Sequence, residues 1–160
     1  MVAHTESLEQ ISTALSRRGW RLATAESCTG GMLAEFLTSQ PGSSTWFECG
    51  FVTYSNAAKA HMLDVPTALI EQSGAVSAAV VEAMASGALR RSDADVAIAI
   101  SGIAGPGGAV PGKPVGTVFV AWGDGDGRPD SQCFLFSGDR EAVRRQAVEQ
   151  SIQGLLVRYG

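Results

Sequence analysis

Five consecutive apolar residues, Val96-Ala-Ile-Ala-Ile100, run directly into the small-residue stretch Ser101-Gly-Ile-Ala-Gly-Pro-Gly-Gly108. A strand without polar alternation has to be covered on both faces, which is the position of a central strand between two helix layers. The neighbouring segments supply those layers. Leu8, Ile11 and Leu15 recur at helical spacing over residues 7–18, with Ser7 and Gln10 fitting a capping box and Gly19 as the stop. A short strand over 20–25 leads into a small-residue turn and a helix over 30–38 that turns Met32, Leu33, Phe36 and Leu37 inward. A loop at 40–45 precedes an aromatic and β-branched strand at 46–54, and Ser55 caps a helix over 56–63. Pro66 opens a short helix over 66–72. Ser77 caps a longer one to about residue 91, with Val80, Val81, Met84, Ala88 and Leu89 on one face. Strands at 115–122 and 132–136, joined by a short polar loop, predict an antiparallel hairpin. Asp139 caps a last helix to about residue 159, whose inner face carries Val143, Ala147, Ile152, Leu155 and Leu156. The expectation is an α/β fold: one three-layer α/β/α domain over residues 1–160 with a mixed β-sheet.

Charge and composition remove several function classes. The formal net charge is −4, with 16 acidic against 12 basic residues, so the chain lacks the basic surface that direct nucleic-acid binding needs. Its longest uncharged stretch, 96–112, is broken by Gly and Pro and cannot span a bilayer as a helix. The N-terminal residues show no basic region followed by an apolar one, so no secretory signal is expected. Three cysteines without CxxC spacing fit a reducing, cytoplasmic setting. Two histidines with no HExxH and no Cys/His cluster give no ground to expect a zinc site.

Three segments place reactive or small residues where a strand ends. In α/β sheets that is where ligands bind. Thr24-Ala-Glu-Ser-Cys-Thr-Gly-Gly31 sets Ser27, Cys28 and Thr29 ahead of a helix, with Gly30 and Gly31 allowing close approach to the backbone. Free N–H groups and the helix dipole would favour an anion there, and a hydroxyl or thiol could attack. A hydroxyl-capped strand-to-helix turn would look the same. Gly50-Phe-Val-Thr-Tyr-Ser-Asn-Ala-Ala-Lys59 brings Tyr54 to a strand end and Lys59 to the next helix. Lysine is scarce in this chain, and one shielded from water can serve as a general base; a solvated surface lysine is the alternative. The loop 101–108 can hold an anion on its backbone or serve only as a connection. Within it, Gly107-x-x-x-x-Gly112-Lys113 imitates a phosphate-binding Walker loop. Pro114 stands where Ser or Thr should hold magnesium, and a strand follows where a helix is required, which excludes that reading. Arg140 and Arg144 share a face near the N-terminus of the last helix, where an anion would be welcome; a solvated face is the alternative. Arg145 is explained by an i,i+4 pair with Glu141.

Taken together, TAESCTGG, GSSTWFECGFVTYSNAAK, GAVS at 74–77, SGIAGPGG with KPVGTV, and SGDREAVRRQA resemble the CinA C-terminal domain family, in the family's order, over about residues 6–158. The resemblance is to the free-standing form. It implies nicotinamide-nucleotide amidase activity: hydrolysis of nicotinamide mononucleotide to nicotinate mononucleotide and ammonia, in pyridine nucleotide salvage. It implies Ser27 as nucleophile, Tyr54 and Lys59 handling its proton, and Ser101, Gly102 and Arg140 near the ligand. Backbone N–H groups around Cys28, Thr29 and Gly30 are the candidates for the oxyanion. No metal or organic cofactor is implied. The expected partner is a small-molecule mononucleotide, with no direct nucleic acid and no membrane, and the resemblance suggests a homo-oligomer. A different class of function, a regulatory module linked to competence or DNA damage and working through protein partners, is the alternative that the family's name suggests.

Overall fold

A computed structural model describes residues 2–160. Five strands, β1 (Leu22–Glu26), β2 (Phe47–Val52), β3 (Val96–Gly102), β4 (Thr117–Gly123) and β5 (Asp130–Leu135), form one sheet in the order β2-β1-β3-β4-β5. β1 runs parallel to both β2 and β3, while β4 is antiparallel to β3 and to β5. Six α-helices accompany them: α1 (Val2–Arg18), α2 (Met32–Thr38), α3 (Asn56–Leu63), α4 (Thr67–Ser73), α5 (Ala78–Arg90) and α6 (Arg140–Tyr159). The fold is the expected α/β sandwich with a mixed sheet. No helix among the described residues is long and apolar enough to cross a membrane.

The apolar run of β3 divides its residues by size between the two faces. Val96, Ile98 and Ile100 enter the core beneath α1, α2 and α6, together with Leu22, Val118, Val120 and Trp122. Ala97 and Ala99 face the other way with Ala23, Ala25 and Ala121, beneath α3, α4 and α5. Side chains alternate across a strand, so a Val/Ala/Ile/Ala/Ile pattern makes one bulky face and one shallow face. The shallow face lets α5 lie close to the sheet, and α5 is also held tightly from outside. A Cβ placed on Gly87 would stand 1.9 Å from the Leu63 carbonyl oxygen at the end of α3.

Three caps read from the sequence form as expected. Ser55, Ser77 and Asp139 each accept a hydrogen bond from an N–H in the first turn of α3, α5 and α6. Most boundaries shift by one to three residues, and two helix starts differ for a clear reason. α1 begins at Val2, so Ser7 lies inside the helix; residues 2–6 contain no Gly or Pro that would stop a helix from growing backwards. α2 begins at Met32, because Gly30 and Gly31 both take positive φ and Gly31 is the left-handed residue before the first turn.

Candidate active site

The carboxyl ends of β1 and β3 lie side by side, and the chain leaves them in opposite directions, towards β2 from the first and β4 from the second. Such a divergence opens a crevice at the edge of the sheet. The strand ends are locked in register beyond the last ladder residue: Ser27 N–H donates to Ile100 O at 3.0 Å and Thr53 N–H to Glu26 O at 2.8 Å. The cleft here is about 290 Å³ in volume. Ser27, Cys28, Tyr54, Lys59, Ser101, Gly102 and Arg140 all line it, so all three segments singled out in the sequence converge on one site.

Ser27 follows β1 and has 8% of its surface exposed. Lys59 sits in the first turns of α3, points towards the sheet and is 1% exposed. Its Nζ lies 3.0 Å from Ser27 Oγ, 3.1 Å from the Thr53 carbonyl and 3.2 Å from the Tyr54 carbonyl. Among the described residues Lys59 forms no salt bridge to a carboxylate. Burial lowers its pKa from the ordinary lysine value. Both protonation states use the same three contacts. An ammonium donates to all three oxygens, whereas a neutral amine donates to the two carbonyls and accepts from Ser27. A proton can therefore pass between Oγ and Nζ with no other rearrangement.

Cys28 is also buried, and burial pushes its thiol up to about 11. It is a neutral thiol at pH 7 and a poor nucleophile in that form. Thr29 is fully buried, and its hydroxyl donates to Glu26 Oε1 at 2.6 Å. The same carboxylate accepts from Leu33 N–H at 2.8 Å and Ala34 N–H at 3.1 Å. This corrects one expectation. The start of α2 does not offer its N–H groups to a bound anion, because Glu26 already occupies them. Gly30 N–H is also in use, donating to Ser27 O at 3.0 Å across a tight turn. The N–H groups of Cys28 and Thr29 donate to no other residue among those described, the Cys28 N–H lying against its own thiol.

On the other wall, Ser101 donates to the Ala75 carbonyl at 2.7 Å, which ties β3 to the segment ahead of α5. Gly102 is required by packing, since a Cβ there would lie 2.6 Å from Val118 Cγ2. Arg140 donates to the Gly105 carbonyl at 2.9 Å and to the Tyr54 hydroxyl at 3.0 Å. The phenol of Tyr54, whose residue is 58% exposed, thus meets Arg140, while its main-chain carbonyl meets Lys59. Among the described residues neither Arg140 nor Arg144 forms a salt bridge, whereas Arg145 does pair with Glu141. Lys113 donates to the Ser73 carbonyl at 3.2 Å, a structural tie for a loop whose sequence suggested no role. Glu26, Asn56 and Ala75 lie within the quoted segments, but sequence reasoning assigned none of them a part in this site. Glu26 did carry one signal, an acidic residue closing an otherwise uncharged buried strand.

A larger groove of about 540 Å³ lies between α1, α2 and α6 and contains none of the residues lining the cleft. The smaller cleft is the candidate site, because it brings the Ser27 hydroxyl to the buried Lys59 amine at 3.0 Å.

The model of the CinA C-terminal domain matches residues 4–158. A protein of Pseudomonas putida named nicotinamide-nucleotide amidohydrolase PncC is 54% identical over 156 residues, covering 93% of this chain and 97% of its own length. One of the same name from Escherichia coli strain K12 is 53% identical over 147 residues, covering 92% of this chain and 89% of its own. Among solved structures, the competence damage-inducible protein A of Klebsiella pneumoniae superposes with a TM-score of 0.93 at 41% identity, over 97% of this chain and 96% of that one. Sequence match, fold and the order of the motifs agree: the chain belongs to the CinA C-terminal domain family.

Proposed function

We propose that the protein hydrolyses the carboxamide of nicotinamide mononucleotide, giving nicotinate mononucleotide and ammonia, with Ser27 as nucleophile and Lys59 as general base. The observation that carries this reading is the buried Lys59 amine 3.0 Å from Ser27 Oγ. Full-length similarity to two proteins named nicotinamide-nucleotide amidohydrolase supports the substrate. Ser27 Oγ attacks the carboxamide carbon as its proton moves to Lys59 Nζ. The carbonyl electron pair shifts onto oxygen, where backbone N–H groups stabilise it. When the carbonyl re-forms, the C–N bond breaks and Lys59 returns the proton to the leaving nitrogen, releasing ammonia. Lys59 then deprotonates water, which cleaves the acyl–Ser27 ester and restores the hydroxyl.

The other lining groups divide between the reacting carboxamide and the phosphate. The Tyr54 carbonyl helps to aim Lys59, and its phenol works with Arg140 at the mouth of the cleft. Arg140 faces the 5′-phosphate, and Ser101 and Gly102 shape the wall against which the nucleotide lies. The donor set requires no metal or organic cofactor for this chemistry. The reading retains the expectations of a salvage role, a cytoplasmic setting and a homo-oligomer, the last of which sedimentation analysis decides.

The test is ammonia release from nicotinamide mononucleotide by purified wild type, Ser27→Ala and Cys28→Ala. Ser27→Ala should abolish turnover, and Cys28→Ala should keep a substantial fraction of it. An active Ser27→Ala beside an inactive Cys28→Ala would make this a thiol amidase.

A further inference from the structure

An amide-cleaving serine needs donors aimed at the developing oxyanion, and in the turn directly after Ser27 the N–H groups of Cys28 and Thr29 donate to no other described residue. What fixes their direction lies on α6. Arg144 donates from Nε to the Cys28 carbonyl at 3.1 Å and from a terminal nitrogen to the Thr29 carbonyl at 3.0 Å. In a trans peptide the C=O and the following N–H point in opposite directions. Holding the Cys28 carbonyl against α6 therefore turns the Thr29 N–H away from α6. Holding the Thr29 carbonyl likewise sets the Gly30 N–H, which donates to Ser27 O at 3.0 Å. That bond orients the Ser27–Cys28 peptide and, with it, the Cys28 N–H. One guanidinium thus fixes three successive peptide planes.

On the amidase reading above, we propose that Arg144 is the positioning residue of the oxyanion site, holding the Cys28 and Thr29 N–H groups towards the carboxamide oxygen next to Ser27. Its fork matches two adjacent carbonyls, which a lysine ammonium cannot grip in the same way. Its charge also withdraws electrons through those carbonyls, making the amide N–H groups across the same peptides stronger donors. Among the described residues Arg144 forms no salt bridge that would use its charge elsewhere. Arg145, the next residue, is exposed and paired with Glu141, and so serves as an internal control.

The experiment compares nicotinamide mononucleotide with its thioamide counterpart, in which sulfur replaces the carboxamide oxygen. A site shaped for oxygen discriminates against the larger, more weakly accepting sulfur, so the amide-to-thioamide rate ratio reads the oxyanion donors. Arg144→Ala should lower kcat by roughly 10- to 100-fold, within the cost of weakening one such donor, with KM changed by less than about twofold. The amide-to-thioamide ratio should fall with it. Arg145→Ala should leave kcat, KM and the ratio at wild-type values. Should Arg144→Ala fold poorly by thermal unfolding, Arg144→Lys is read by the same ratio. Equal losses on amide and thioamide, or an unchanged kcat, would overturn the inference and leave Arg144 as a structural clamp. Wild-type protein that releases no ammonia would overturn the amidase reading and the inference together.

Discussion

At the scale of single residues, the site depends on keeping one amine dry. A lysine in water is protonated at neutral pH and cannot accept a proton from serine. Lys59 is buried beneath the carbonyls of Thr53 and Tyr54, and that burial lowers its pKa. The sign for activity follows. The neutral amine is the active form, so kcat/KM should be lost as pH falls through the folded-state pKa of Lys59 and should rise to a plateau above it. The acid limb should lie below the ordinary lysine value. A pH–rate profile measures it. Lys59→Ala should reduce kcat by roughly 10²-fold or more, as expected for lost general base catalysis. In the same series Tyr54→Phe separates two roles. It keeps the carbonyl on Lys59 and removes only the hydroxyl that meets Arg140. A loss as large as that of Lys59→Ala would mean that the phenol itself carries the proton.

At the scale of elements, what the sequence made legible was local. Ser55, Ser77 and Asp139 are hydroxyl or carboxylate residues directly before apolar-periodic segments, and each caps the helix it precedes. The β4–β5 hairpin followed from a short polar loop between two strand patterns. Contacts between segments distant in the chain were not legible. Glu26 capping α2 was hidden because the capping residue is not the one before the helix but the last of the preceding strand, brought over by two positive-φ glycines. Gly87 was equally silent. In an exposed helix interior Gly→Ala stabilises by up to about 1 kcal/mol. Here a Cβ would lie 1.9 Å from the Leu63 carbonyl oxygen, and backbone cannot yield as a flexible side chain can. The clash decides the sign. Gly87→Ala should destabilise the protein by roughly 1–3 kcal/mol, the usual cost of overpacking, read as a lower midpoint in urea unfolding. A raised midpoint would mean that α3 and α5 can separate freely.

At the scale of the whole molecule, the site combines three segments that the sequence could mark as reactive but could not bring together. Ser27, Lys59 and Arg140 are separated by 32 and 81 positions, and only the β1–β3 switch point places them around one cleft. The same long-range assembly creates a charge contrast. The chain as a whole carries −4, yet Arg140 and Arg144 reach this region of an acidic protein without a salt bridge among the described residues. Glu26, the carboxylate next to Ser27 in the chain, is fully buried and accepts three hydrogen bonds, so it is directed into the fold rather than the cleft. A cleft of one sign in a protein of the other draws an anion to itself, and the attraction weakens as salt screens it. Phosphate recognition should therefore appear in KM and respond to ionic strength. Arg140→Ala should raise KM for nicotinamide mononucleotide by roughly tenfold, the loss of one charge-assisted contact, and should change KM for nicotinamide riboside much less. In wild type, added salt should raise KM for the mononucleotide and leave that for the riboside nearly constant, and Arg140→Ala should flatten the salt dependence. If Arg140→Ala weakens both substrates equally, Arg140 supports the cleft through Gly105 and Tyr54 and does not read the phosphate.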